Sequence, residues 1–181
     1  MNELIKLAVD ISERRGLTLI LTRDKARESK TNLIASLVLK GPLFVLSGDE
    51  WFPAFVLPRL LRGRTTEIKA ITGRLRMARA STCYRLFDSL AATDSKGEPI
   101  LMMDFLHTFY DEDIPLRTRL FKLRECCREL MRLAFYRPVI VMTQEREGEE
   151  YEKFIPALSP LADKILTLEQ ELESMTQTAL F

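Results

Sequence analysis

Residues 17–40, LTLILTRDKARESKTNLIASLVLK, decide how the chain is read. An apolar run from Leu17 to Leu21 leads into a polar stretch, then Ser29, Lys30 and Thr31, then a helical apolar pattern through Leu33, Ile34, Leu37 and Val38. Strand, loop and helix in that order bind phosphate when the loop reads G-x-x-x-x-G-K-[S/T]. Backbone N–H groups cradle the phosphates, the Lys reaches them and the hydroxyl holds Mg²⁺. Here the frame runs from Asp24 to Thr31, with Lys30 and Thr31 kept and both glycines replaced, by Asp24 and Ser29. Glycine serves such loops because it adopts positive φ without a Cβ penalty and lets the backbone approach a ligand. Asp24 would instead set a carboxylate beside phosphate charge. The competing reading is a helix capped by Ser or Thr after a charged turn.

A chain of 181 residues suits one domain with a single sizeable core, and the expected unit is 1–181, with an N-terminal helix before residue 16 and a tail at 169–181. No apolar run approaches the roughly 18 to 20 residues that span a bilayer, and the N-terminus carries acids and no cleavage-site pattern, so an intracellular protein without a membrane partner is expected. Cys83, Cys126 and Cys127 have neither a disulfide framework nor metal-ligand spacing, and His107 is the only histidine. They read as reduced packing residues. Charge is nearly balanced, 27 Lys and Arg against 26 Asp and Glu, but unevenly placed. Residues 59–85 are rich in arginine, including Arg74, Arg76 and Arg79, whereas acids dominate from Glu145 onward. Such segregation marks an anionic partner, pairing of opposite faces between subunits, or a solvated surface.

Leu4, Ile5, Leu7, Ala8 and Ile11 predict a helix over residues 2–15 that ends at Gly16. Leu43 to Leu46 read as a second strand ending in Ser47-Gly48-Asp49-Glu50. Any helix between Trp51 and Arg62 should start at or after Pro53 or Pro58. TEIKAIT, residues 66–72, reads as a third strand, followed by the arginine-rich segment and a helix capped by Ser81 or Thr82 and running to Leu90. PILMMD, residues 99–104, is a continuous apolar strand of the kind buried on both faces of a parallel sheet. The clearest helix runs from Pro115 to about Tyr136, with Leu116, Leu120, Leu123, Cys127, Leu130 and Ala134 on one stripe. VIVMTQ ends a fifth strand at Gln144; an acidic loop and a sixth strand, Lys164 to Leu168, follow. Strands alternating with helices predict an α/β fold with a mainly parallel sheet flanked by helices, whose ligand site lies beyond the carboxyl ends of the strands. That edge would gather Lys30, Thr31, Asp49, Glu50, Asp104 and Gln144, the residue types that hold and hydrolyse a nucleotide.

On FVLSGDEWF, PILMMDFLHTFY and RPVIVMTQ, in that order after the 17–40 unit, the chain resembles the RecA-type recombinase family, and most closely its recombinase paralogs, over roughly residues 17–168. The resemblance implies a P-loop NTPase (RecA-like) core with a degenerate Walker A motif. It implies ATP and Mg²⁺ as ligands: Ser29, Lys30 and Thr31 at the phosphates, Thr31 and Asp104 at the metal, Glu50 (or Asp49, one residue earlier) polarising water, and Gln144 sensing the γ-phosphate. The segments that would form the family's inner DNA-binding surface read YDEDIP and EREGEEYEK here. Both are acidic and so are poor partners for phosphate backbones. Phe154-Ile155-Pro156-Ala157 has the F-x-x-A shape by which recombinases dock on neighbours, but such a pattern occurs often by chance and is read here as packing.

Three functions follow as expectations. The first is a recombinase-paralog-type subunit acting in DNA recombination and repair through a protein partner or homo-oligomer of RecA-like subunits, with weak or absent ATP hydrolysis. The second is an active Mg-dependent ATPase of the same superfamily. The third is a DNA-binding accessory module using Arg74, Arg76 and Arg79 within 59–85.

Overall fold

A computed structural model describes residues 10, 13–23, 26–49 and 51–168. The helix expected over residues 2–15 falls largely outside them; Asp24, Glu50 and the tail 169–181 lie wholly outside. The chain builds one sheet of six strands in the order β3-β2-β4-β5-β1-β6, every pairing parallel. The strands are β1 Gly16–Thr22, β2 Leu43–Ser47, β3 Leu75–Arg79, β4 Ile100–Met103, β5 Pro138–Gln144 and β6 Lys164–Leu168. The helices between them are α1 Arg27–Lys40, α2 Val56–Arg62, α3 Ile68–Thr72, α4 Cys83–Ala91, α5 Leu116–Ala134 and α6 Glu149–Leu158. The expected α/β fold with a parallel sheet flanked by helices is what the structure has.

Two cores follow from the two-residue period of a strand, which sends successive side chains to opposite faces. Ile20, Val45, Leu101 and Ile140 pack with Leu33, Ile34 and Val38 of α1 and Leu57 and Leu61 of α2. Their neighbours Leu19, Leu46, Met102 and Val141 pack with Leu86 of α4, Leu123 and Leu130 of α5, and Phe154 of α6. The central strands therefore carry near-continuous apolar runs; all of β4, Ile100 to Met103, is apolar and buried. Helix α1 buries residues 33–38 without interruption, so it shows little amphipathic pattern.

Three expectations are corrected. Residues 66–72 are not a strand: Ile68–Thr72 forms one short helix, and the strand is the arginine-rich segment that follows. The β-branched residues of TEIKAIT suit a strand, but pairing is a tertiary matter. Leu75 to Arg79 lie in register with Leu43 to Ser47, and β3 sits at the sheet edge, where charged side chains are tolerated and discourage further pairing. The acidic loop after Gln144 is largely helix α6. Its first-turn acids Glu149, Glu150 and Glu152 suit the positive end of the helix dipole, and Phe154 and Leu158, four apart, are its buried stripe. Finally, α1 begins at Arg27, so Ser29-Lys30-Thr31 does not start the helix but lies inside its first turns. The expected α4 holds: the Thr82 hydroxyl accepts the Arg85 N–H and caps it. Among the described residues no helix is long and apolar enough to cross a membrane.

Candidate functional site

A polar cavity of about 220 Å³ opens at the carboxyl edge of the sheet. Lys30 of α1, Asp49 after β2, Asp104 after β4, Gln144 at the end of β5 and Arg146 after it all reach it. The placement has a topological cause. The connections leaving β1 and β2 pack on one face of the sheet and those leaving β4 and β5 on the other, so a crevice opens where neighbouring exits part.

Lys30 Nζ donates to Asp104 Oδ1 at 2.6 Å, and the two side chains are only 3% and 11% exposed. This buried pair is the cavity's central feature. Asp104 Oδ2 is buried and has no hydrogen-bond partner among the described residues. Asp104 also stands in the left-handed region, with φ 53° and ψ 43°, a conformation that Asp tolerates better than most residues and that costs about 1–3 kcal/mol. The turn is held by close packing against the end of β2. The Gly48 N–H donates to Met103 O at 2.8 Å, and a Cβ on Gly48 would lie 2.5 Å from Asp104 O. Glycine is required there by the approach of two strand ends.

The far wall comes from residues that the sequence did not single out as site residues. Behind Asp104 runs a 3₁₀ turn, Phe105–Phe109, which presents His107 and, just beyond it, Tyr110. The guanidinium of Arg146 stacks 4.1 Å from the Tyr110 ring centre and reaches 3.5 Å from His107 Nδ1, where Arg can only donate. His107 Nε2 lies 3.8 Å from Asp49 Oδ1. Burial pushes the Tyr110 hydroxyl up to about 12, so it is a neutral group at physiological pH. Arg119 braces this wall from behind, donating to Phe109 O at 2.9 Å and Ile114 O at 2.8 Å and forking onto Glu150. The hydrogen bond from Arg119 holds the Glu150 carboxyl below its ordinary value.

The expected site residues separate. Lys30, Asp104 and Gln144 line the cavity together, and so does Asp49. Ser29 is half-buried one residue before Lys30 and Thr31 is buried; neither is among the lining residues. The Thr31 hydroxyl donates to Arg27 O at 2.8 Å, a bond back to its own helix. Glu50 lies outside the described residues. The Lys30 N–H donates to Ala26 O at 2.9 Å, so from that residue on the backbone donors of the loop frame serve the helix rather than a ligand. Arg74 lies just before β3, and Arg76 and Arg79 lie in it, pointing to opposite faces by the strand period. Arg76 pairs with Glu98 and lies over the Phe44 ring at 4.9 Å.

Sequence signals for the missed wall were weak. Arg146 is a single cation inside EREGEE, hidden by its acidic neighbours, and His107 and Tyr110 are set by the 3₁₀ turn after Asp104 rather than by a periodic pattern. Trp51, the only tryptophan, flanks the cavity, its ring centre 6.0 Å from Lys30 Nζ and 5.7 Å from the Arg27 guanidinium.

Among the described residues, no group of three or more His, Cys, Asp or Glu is arranged to hold a metal ion. With Thr31 turned to its helix, Asp104 Oδ2 is the open ligand on offer at the Lys30–Asp104 pair, and a Mg²⁺ there would rest on Asp104, water and a phosphate ligand. The chain matches no model of a known protein family, and no curated protein matches it.

Proposed function

We propose that this chain is a recombinase-paralog-type RecA-like subunit that binds the phosphates of ATP at the sheet-edge cavity with little or no hydrolysis, and that it serves DNA recombination and repair through assembly with other subunits. The observation that carries the reading is the buried Lys30–Asp104 pair inside a polar cavity framed by strand exits. A lysine and an arginine at such an edge suit a phosphate ligand, with Lys30 and Arg146 as its cations, while the Asp104 carboxylate opposes it unless a cation lies between them. Weak turnover follows from the same geometry. Lys30 is held by Asp104, Thr31 is held by Arg27 O, and the ligand must break the ion pair before the ammonium is available. Bound Mg²⁺ would supply charge neutralisation beside Asp104; the chain's own contribution is to bind and orient.

The test is a titration with ATP, with and without Mg²⁺, followed by Trp51 fluorescence and by phosphate release. Replacing Asp104 by Asn removes the charge that competes for Lys30, so ATP binding should tighten about tenfold, the change expected when roughly 1.4 kcal/mol of competition is lost. Turnover should stay at background. Absence of ATP binding in both proteins defeats the reading, and so does robust turnover that Lys30→Ala abolishes, which would mark an active ATPase.

A further inference from the structure

Four arginines among the described residues are buried or half-buried: Arg119, Arg132, Arg137 and Arg146. The first three place every guanidinium nitrogen on an oxygen acceptor. Arg119 bonds to Phe109 O, Ile114 O and the Glu150 carboxylate. Arg132 bonds to Glu129, the Ser95 hydroxyl and the carbonyls of Leu90 and Thr93. Arg137 bonds to the carbonyls of Asp94, Ser95, Lys96 and Glu98. Arg146 is the exception. Its Nη2 lies 3.5 Å from His107 Nδ1, and its other two nitrogens have no partner among the described residues. Donors withdrawn from water and left open are costly until an acceptor completes them.

The open guanidinium is nonetheless held in place. It stacks on the Tyr110 ring and meets His107, whose other ring nitrogen lies 3.8 Å from Asp49 Oδ1. A stacked arginine keeps its N–H edge for a forked bond to an oxyanion. Lys30 is differently placed: Asp104 Oδ1 already takes its ammonium at 2.6 Å. Of the two cations that line the cavity, Arg146 is therefore the one with no carboxylate at ion-pair distance among the described residues. The two buried side-chain polar atoms without partners among those residues, Asp104 Oδ2 and the Tyr110 hydroxyl, also belong to lining residues. Size narrows the ligand. A pocket that takes a drug-sized molecule holds about 300–1,000 Å³, whereas this polar one, at about 220 Å³, suits phosphate groups without the sugar and base.

We infer, on the proposed reading of the cavity as a phosphate site, that Arg146 rather than Lys30 is the principal anchor of a polyphosphate chain there. The ligand class is a polyphosphate recognised by its phosphates alone, whether inorganic or carried by a nucleotide.

Titration calorimetry with inorganic triphosphate and with ATP, Mg²⁺ present, tests both halves. The two ligands should bind the parent within about threefold of each other. Arg146→Gln should weaken both about tenfold or more. Arg146→Lys keeps the charge without the fork and should recover only part of that loss; it carries the comparison if circular dichroism shows Arg146→Gln unfolded. Lys30→Met/Asp104→Asn removes one cation and one anion together and should weaken both ligands by no more than about threefold. A larger loss in that double variant than in the Arg146 variants makes Lys30 the anchor and overturns the inference, while the phosphate cavity stands. ATP binding more than about tenfold tighter than triphosphate overturns the ligand class, because the nucleoside would then be recognised as well. A parent that binds neither ligand overturns the inference and the phosphate reading together.

Discussion

Removing the Lys30 ammonium while leaving Asp104 in place isolates a carboxylate whose side chain is 11% exposed and whose second oxygen has no partner among the described residues. Breaking a buried pair on one side costs about 3–5 kcal/mol, because the remaining charge is neither hydrated nor compensated. Lys30→Met should therefore destabilise the fold by that amount, and Asp104→Asn, which strands an ammonium only 3% exposed, by a similar one. The double variant Lys30→Met/Asp104→Asn buries no net charge and should lie within about 2 kcal/mol of the parent. The coupling energy of the cycle is then at least about 4 kcal/mol, above what an exposed pair gives. Urea unfolding monitored by Trp51 reads all four proteins. The midpoint should fall at unchanged slope for each single variant and largely recover for the double. In a thermal scan, a domain of this size should lose about 6–20 °C in either single variant, at about 2–4 °C per kcal/mol. Two single variants that each cost under about 1 kcal/mol and add in the double would mean that the pair behaves as a solvent-screened surface contact. That result refutes the argument that Lys30 is held internally.

Gly48→Ala places a Cβ 2.5 Å from Asp104 O, so it should cost about 1–3 kcal/mol by overpacking and weaken ATP binding, read by the same fluorescence titration. Arg137 is buried and donates to the carbonyls of Asp94, Ser95, Lys96 and Glu98; Arg137→Lys keeps the charge but loses the fork, and calorimetry should show a loss of about 2–4 kcal/mol. Glu150 is held below its ordinary value of 4.5 by Arg119, so its contribution is complete above that value and is lost as pH falls through the lower, folded-state value. Stability measured across that acid range should lose part of its pH dependence in Glu150→Gln; an unchanged profile would mean that the fork from Arg119 does not survive in solution.

The sequence carried the class of the fold because burial on both faces leaves a one-dimensional trace. VIVMTQ and PILMMD are apolar at consecutive positions, and the stripe from Leu116 to Ala134 is periodic, so strands and the long helix could be placed without partners. Lys30, Asp104 and Gln144 were found for the same reason: each follows a legible strand, and parallel strands put their ends on one edge. Tertiary structure decided what depends on neighbours. Pairing with β2 made LRMAR the edge strand in place of TEIKAIT, and Phe154 and Leu158 drew an acidic stretch into a helix by packing on the core. The start of α1 at Arg27 turned Lys30 toward Asp104 and Thr31 toward its own backbone. Local residue types specify which groups are present at the edge. Only the packed chain fixes which of them meet, because hydrogen-bond and ion-pair partners here lie up to 74 residues apart in the cavity, beyond the reach of any local pattern.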